Sequence, residues 1–565
     1  MCARGRYTTS VAFLEALSES GITHIFANLG SDHPSILEAL IQMQHSSPHP
    51  RIITCPTELV ALSTADGYAR RTNHPQCVLV HVDVGTQGLG QAVHNASCGR
   101  APVLIFAGLS PVTVDGEMRG SRTEWIHWIQ DVPDQKQIVR QYCRFVGEVK
   151  VPRNVKEMVG RAVQFASSDP KGPVYLIQRD DDHVLDQRVW GAVRPGALAG
   201  DAVREVAGLL MGAREPLCLV GYTGRNHGAV GVLVELAELV RGMRVLDTGG
   251  SDMCFPADHR AWLGMRYGVH GRIETADVIL VLDCDVPWIP ARCKPQHGAR
   301  VVHVDVDPLK QQMPVWFFGA ERRYRADSAV ACRQIVDCIR GDEVMMERTR
   351  SEELLEGIAA SAVPNPDGSF GVAYLCRLLR DVVPEDSIFV VEAVNNSPVV
   401  SDQLQATLPG QIVNCGAGGL GWSTGAAMGV KLATDASTRD GRGNMVVQIV
   451  GDGAFLFSIP SSAYWISQRY SIPILTVIIN NGGWNAPRAS LQLVHPDGMG
   501  SKATNEELNI SFAPSPDYSG IARAASGGKI FGAQVREAER LCSVLEDAAH
   551  AVLGGTSAVV DALIG

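Results

Sequence analysis

The sequence predicts an α/β protein made of three doubly wound parallel-sheet domains, and three observations carry that prediction. Short apolar runs rich in Val, Ile and Leu alternate with helical patterns along the chain, the rhythm of parallel sheets covered by helices. Many of these runs end in Gly or Asp, which suits the carboxyl ends of strands in an open sheet. A length of 565 residues is too great for one core, and three or four domains of about 150 residues are the expectation.

In chain order, the pattern from Thr9 reads as an amphipathic helix, and "HIFANLG", "CVLVHVDVG", "APVLIFAG" and "GPVYLIQ" read as strands of a first domain over 1–190. After "QRDDDHVLDQRVWGAVRPGALAGD" the rhythm restarts with "PLCLVGYTG", "MRVLDTGG", "DVILVLDCD" and "RVVHVDVD", a central domain over 191–345. A second break, "RSEELLEGIAASAVPNPDGSFG", contains a linker over 346–364. Then "SIFVVEAVNN", "GQIVNCG", "NMVVQIVGDG" and "PILTVIINN" form a third domain over 365–565.

Composition removes several classes of function. Hydrophobic content of 45% with 19% charged residues describes an ordinary globular interior. A net charge of −10, with no Lys/Arg-rich run, offers no attraction to nucleic acid or anionic lipid. No window approaches 18 uninterrupted apolar residues, so no membrane span is expected. The fourteen cysteines are scattered singly, without a CxxC pair, and point to reduced thiols in a cytoplasmic setting. The N-terminus has no apolar core of signal length, and a mitochondrial address stays open.

The chemistry begins at "GDGAFLFSIPSSAYWISQRYSIPILTVIINNGGW". Asp452 follows a strand-like run and sits between Gly451 and Gly453, where the backbone can turn tightly and a ligand can come close. Asn480 and Asn481 end the next strand, and in a parallel β-α-β unit the two strand ends share one edge. A carboxylate and an amide oxygen form part of a hard-oxygen shell, which Mg²⁺ completes with phosphate and water. Separately, GDG is most simply a turn and NN a helix cap; together across one unit they point to a shared ion.

"GAGGLG", Gly416 to Gly421, fits the GxGxxG of a dinucleotide-binding turn and offers a competing nicotinamide reading. No acidic residue ends a strand about 20 positions later, as that reading needs.

GDG, some 26 intervening residues, then NN resembles the diphosphate–metal motif of thiamine-diphosphate (ThDP) enzymes. The resemblance implies Asp452, the Asn481 side chain and the Gly483 carbonyl as metal ligands, with Gly451, Gly453, Ala454 and Trp484 around the cofactor. "CPTELVALSTADGYARRT" resembles the family's upstream catalytic segment and puts Glu58 in the place of the carboxyl that activates the aminopyrimidine ring. "GGLGWSTGAAMG" resembles the run beneath the cofactor, with Gly419 in that run and Leu420 as its apolar wedge. "FVVEAVNNSPV" lies where such enzymes contact the diphosphate, which points to Ala393, Val394 and Asn395.

The chain is thus similar, over nearly its whole length, to the acetolactate synthase, pyruvate decarboxylase and benzoylformate decarboxylase group, with pyrimidine-binding, central and diphosphate-binding domains. Ser31 and His81 stand where benzoylformate decarboxylase has an active-site serine and histidine, suited to binding a carboxylate and moving a proton. "RGSRTEWIHWIQDVPDQ" and "LDCDVPWIP" look more like the acetolactate-synthase-like branch, and Trp125, His127, Trp128 and Gln130 either line the acceptor side or pack between subunits.

The function implied is decarboxylation of a 2-oxo acid with transfer of the acyl-anion equivalent to a carbonyl acceptor. The alternatives are simple decarboxylation and, in a different class, an inactive regulatory subunit of the same fold. The resemblance also implies thiamine diphosphate and Mg²⁺, leaves FAD open in the central domain, and implies a homodimer or homotetramer with shared active sites.

Overall fold

Strands buried on both faces lose the alternation of polar and apolar residues, and this sets the character of the chain. β3 (Gln76–Val80), β4 (Val103–Gly108) and β10 (Val278–Leu282) are buried at every position. The computed structural model describes all residues except 1–6, 45–48, 118–119, 179–190, 311–312, 314, 316–317 and 341–356. Most of the expected linker, from 346 to 356, and half of the first interdomain break, from 179 to 190, therefore lie outside the described residues.

Among the described residues, eighteen strands form three six-stranded sheets, with every strand pair parallel. The first comprises β1 (His24–Asn28), β2 (Arg51–Thr54), β3, β4, β5 (Phe145–Val149) and β6 (Val174–Gln178), in the order β2-β1-β3-β4-β6-β5. The second comprises β7 (Pro216–Val220), β8 (Arg244–Asp247), β9 (Trp262–Met265), β10, β11 (Arg300–Asp305) and β12 (Arg322–Arg325), in the order β12-β11-β10-β7-β8-β9.

The third comprises β13 (Ile388–Glu392), β14 (Ile412–Asn414), β15 (Val446–Gly451), β16 (Leu475–Asn480), β17 (Phe531–Val535) and β18 (Ala558–Leu563), in the order β14-β13-β15-β16-β18-β17. The outer two sheets share one order, and the central sheet has another. In the outer sheets the order reverses at β1/β3 and at β13/β15, the switch points at which open α/β sheets bind ligands beyond their carboxyl ends.

One apolar core joins the first and third domains, running from Val60 and Ala61 to Trp422 and Met428. Its spine is the contact between the helices Glu58–Thr72 and Trp422–Ala436. Their backbones meet so closely that a Cβ on Gly67 would lie 2.2 Å from the Ala426 carbonyl oxygen, and one on Gly429 would lie 2.0 Å from that of Thr64. Any larger residue would force the helices apart. At the meeting of all three domains, buried Arg70 donates to the carbonyls of Asn414 (2.7 Å) and Ser251 (2.8 Å) and pairs with Asp252, which also holds Arg225. Removing one partner from such a buried cluster leaves an uncompensated charge and costs about 3–5 kcal/mol.

Candidate active site

β15 and β16 run in register with Gly451 opposite Ile479, so Asp452 and the paired asparagines emerge side by side at one sheet edge. Asp452 is buried and opens the helix Asp452–Phe457. Its Oδ2 accepts from the backbone N–H of Gly482 (2.9 Å) and Gly483 (3.0 Å), and its Oδ1 from Gly453 (2.7 Å). Burial pushes this carboxyl upward, and the same N–H groups pull against it. The two asparagines divide their work. Asn480 donates to Asp561 (2.9 Å) and accepts from the Gly482 N–H (3.2 Å), which fixes the turn. The Asn481 Oδ1 is buried with no hydrogen-bond partner among the described residues.

An orphaned buried amide oxygen costs about 1–3 kcal/mol unless something binds it. Beside a carboxylate, a hard divalent cation answers that need, and the donor set therefore fits Mg²⁺. Close packing accounts for the glycines here. A Cβ on Gly453 would lie 2.2 Å from the Trp484 ring, and one on Gly483, at φ +154°, would lie 2.1 Å from the Ile510 carbonyl oxygen. The Trp484 ring also meets Phe512 edge-on at 4.9 Å, and the Phe512 N–H donates to the Gly482 carbonyl (2.8 Å), which ties the ring to this turn.

The loop Gly416–Gly421 follows β14 and leads into the helix Trp422–Ala436. Side chains already engage its last three residues. Asn95, on the helix Gly90–Cys98, donates to the Gly419 carbonyl (2.6 Å) and accepts from the Gly419 N–H (3.1 Å), while Gln91 donates to the Leu420 carbonyl (2.6 Å). From below, Glu392 accepts from the N–H groups of Gly421 (2.7 Å) and Ser423 (2.8 Å). A dinucleotide turn must offer its N–H groups to a pyrophosphate, and those of Gly419 and Gly421 are closed off by side chains. The Leu420 side chain packs against the apolar cluster of Ala454 and Phe455, beside Asp452. Ala393 is buried, whereas Val394 (φ +45°) and Asn395 are exposed at the mouth of the β13/β15 switch point.

A second cluster lies at the carboxyl edge of the first sheet. Glu58 is the first residue of its helix, where the helix dipole favours a carboxylate. Asn28, the last residue of β1, donates to Glu58 Oε1 (2.7 Å), and His81 Nε2, just beyond β3, lies 3.8 Å from the same oxygen. A Cβ on Gly88 would lie 2.6 Å from Glu58 Oε2, and one on Gly30 would lie 2.5 Å from the His81 Cβ. The turn bearing exposed Ser31 thus rests against His81. Asp32 anchors that turn by accepting from the Val82 N–H (2.9 Å).

Glu58 and Asp452 stand in separate clusters; no hydrogen bond or ion pair among the described residues joins them. Trp125 is 75% exposed and Trp128 51% exposed, while His127 is buried, so this segment forms no packed wall within one chain. Arg488 is committed to Asn505 (2.6 Å) and the Ala503 carbonyl (2.8 Å). The described cysteines are all unpaired as disulfides, and no helix among the described residues is long and apolar enough to cross a membrane.

Sequence reasoning missed Asn28, Glu392 and the pair Gln91 and Asn95. An asparagine ending "HIFAN" and an acid ending "IFVVE" were available signals at strand ends. The two helix amides carried none.

Comparison with known proteins places these clusters in a common frame. Residues 7–138 match the family profile "Thiamine pyrophosphate enzyme, N-terminal TPP binding domain", 203–313 the corresponding central domain and 394–562 the C-terminal TPP binding domain. The benzoylformate decarboxylase of Pseudomonas aeruginosa is 26% identical over 548 residues, covering 91% of this chain and 92% of the relative. An acetolactate synthase large subunit of Mycobacterium tuberculosis is 26% identical over 573 residues, covering 97% and 94%. Among solved structures, a thiamine diphosphate-dependent 4-hydroxybenzoylformate decarboxylase of Rhodococcus jostii superposes with a TM-score of 0.81 over 99% of both chains. At 22% identity that likeness speaks for the fold alone.

Proposed function

Because the chain belongs to the thiamine pyrophosphate enzyme family through its N-terminal, central and C-terminal domains, we propose that it binds thiamine diphosphate through Mg²⁺ and decarboxylates a 2-oxo acid. The observation that carries this reading is the unpartnered Asn481 amide oxygen beside Asp452. Asp452, Asn481 and the Gly483 carbonyl would hold the metal, leaving its other positions to diphosphate and water. When bound, the cofactor supplies a nucleophilic carbon and an electron sink for CO₂ loss.

The rest falls to side chains of this chain. Glu58 holds a proton at its carboxyl group for the aminopyrimidine, and Asn28 fixes the carboxyl by its hydrogen bond to Oε1. Ser31 receives the substrate carboxylate. His81, facing both the Ser31 turn and Glu58, delivers a proton from Nε2 to the product carbon. Release of an aldehyde is the outcome this arrangement favours.

A second reading, transfer to a carbonyl acceptor as in an acetolactate-synthase-like carboligase, is favoured by the acetolactate synthase likeness over 97% of the chain. The inactive-subunit reading is disfavoured, since Glu58, Asp452 and Asn481 are all present and ordered into clusters.

The working unit we infer is a dimer, with Glu58 from one subunit and Asp452 from the other. Each cluster borders an exposed apolar surface in the single chain: Val84 (46% exposed) on the first domain, and Phe457 (44%) and Leu493 (63%) on the third. FAD is left out of the proposal. At the carboxyl edge of the central sheet, Asp285 and Asp305 surround Lys310 (2.7 and 2.6 Å) and Arg100, and Arg100 also lines a cavity of about 300 Å³ together with the buried Asp283. Its two arginines, Arg100 and Arg225, are already paired with carboxylates, and Asp169, Asp283 and Asp327 line the same wall, so an anionic dinucleotide would face carboxylates.

The test is incubation with pyruvate, 2-oxobutyrate, phenylpyruvate and benzoylformate, with mass detection of CO₂, aldehyde and acyloin. Aldehyde formation dependent on both thiamine diphosphate and Mg²⁺ supports the first reading, and acyloin as the main product the second. No CO₂ from any of them, with cofactor bound, turns the choice to the inactive subunit.

A further inference from the structure

We propose that Glu392 is a positioning residue that fixes the Leu420–Gly421 peptide, and with it the Leu420 side chain, in the cofactor site. The inference rests on the thiamine diphosphate reading given above. Glu392 ends β13 at the switch point of the third sheet and is 3% exposed. No lysine, arginine or histidine among the described residues forms an ion pair with it. Its two oxygens are instead divided between the Gly421 and Ser423 N–H groups, on either side of Trp422.

A helix cap alone does not need this arrangement, because an adjacent Ser, Thr, Asn or Asp would serve. Here the acid comes from another strand, and the residue it holds, Gly421, has φ +91°. The same peptide is held at its other end, where the Leu420 carbonyl accepts from Gln91 of the first domain (2.6 Å). Both polar groups of one peptide plane are thus pinned, by side chains from two different domains. With that plane fixed, the Leu420 side chain is held against the apolar cluster that contains Ala454 and Phe455, the residues that follow Asp452 and Gly453 in the chain. Burial pushes the Glu392 carboxyl up to about 7, so the site bears the cost of a desolvated acid to keep this contact.

The test compares wild type with Glu392→Gln and Leu420→Ala by three measurements: amide hydrogen exchange in the cofactor-free protein, thiamine diphosphate affinity in excess Mg²⁺, and exchange of the thiazolium C2 proton of the bound cofactor, read by NMR after acid quench. In Glu392→Gln the Gly421 and Ser423 amides are expected to lose protection. C2 exchange should slow by about 10- to 100-fold, the scale of a misplaced group near reacting atoms. Affinity should change by less than about threefold, under 0.7 kcal/mol, since Asp452 and Asn481 are untouched.

Leu420→Ala should slow C2 exchange equally while leaving the Gly421 amide protected, and it keeps the proposal testable if Glu392→Gln fails to fold. Unchanged C2 exchange in either folded variant, or an unchanged Gly421 amide in Glu392→Gln, overturns the proposal. Failure of the wild type to take up thiamine diphosphate overturns the functional reading itself, and is seen before any variant is made.

Discussion

The two acidic clusters of the outer domains are built in opposite ways. Around Asp452 the parts lie within one strand–helix–strand unit, and the acid binds the N–H groups of Gly482 and Gly483 directly. Around Glu58 the parts come from the ends of β1 and β3 and from a helix start, and only side chains connect them. A local cluster is fixed by its own backbone. A dispersed one depends on the first sheet being correctly assembled. The difference predicts that damage at Asp452 removes binding, whereas damage at Glu58 removes chemistry and leaves binding in place.

The largest expected effect is therefore at Asp452. Asp452→Ala deletes the proposed metal ligand and strands three backbone donors, so thiamine diphosphate uptake in Mg²⁺ should fall by more than about 100-fold, beyond the loss typical of outer partners of a metal site. Calorimetric titration of the variant measures this directly. Wild-type affinity there would remove the metal from the account of this turn.

Glu58→Gln comes next. Glutamine keeps the volume and can still accept from Asn28, but it cannot hold the proton. Turnover should fall by about 10²- to 10⁴-fold, the range for loss of an acid–base group, with cofactor affinity nearly unchanged. A parallel loss of binding would show that the dispersed cluster also holds the cofactor, and the contrast between the two regions would dissolve.

The same contrast explains what the sequence could and could not say. The twelve apolar runs quoted for the three domains each contain a strand. Of the six strands without a quoted run, β2, β5, β9, β12 and β17 lie at sheet edges, where one side faces solvent or a loop and the apolar signal thins; β12, for instance, has no buried residue. Only β18, inside the third sheet, was missed for want of a flanking motif. Asp452 and Asn481 were legible because their spacing is local. Glu58 was legible only through family resemblance. Asn28, Gln91 and Asn95 act across long sequence separations, and Glu392 was passed over because the resemblance pointed to the residues after it, Ala393 to Asn395, as the diphosphate contacts.

His81→Ala sharpens the dispersed cluster from within. If His81 delivers the final proton, aldehyde release should drop by about 100-fold, while any acyloin formation, which does not require that proton, drops less. A shift in the product ratio toward acyloin is the readout. An equal fall in both products would make His81 a support for Glu58 rather than a proton donor.

The smallest effect is expected at Asp247, which copies the local design of Asp452 without a ligand to bind. It ends β8, is buried, and its Oδ1 accepts from the N–H groups of Gly249 (2.9 Å) and Gly250 (2.7 Å). Burial raises its carboxyl to about 7 from an ordinary 3.8. Between those values the folded chain holds a proton that the unfolded chain has released. The resulting stabilisation is complete below about pH 4 and is lost as pH rises through about 7, at a slope of at most ~1.4 kcal/mol per pH unit. Asp247→Asn keeps the accepting oxygen and cannot ionise, so urea unfolding of the variant should lack this slope, and its advantage over wild type should grow with pH. Turnover should stay within about twofold, because the acid that shares the geometry of Asp452 has no orphaned amide beside it. A large loss of turnover in Asp247→Asn would mean that an acid clasped by two glycine N–H groups is enough to mark a working site in this chain, and that the unpartnered Asn481 oxygen is not what separates the functional edge of the third sheet from its counterpart in the second.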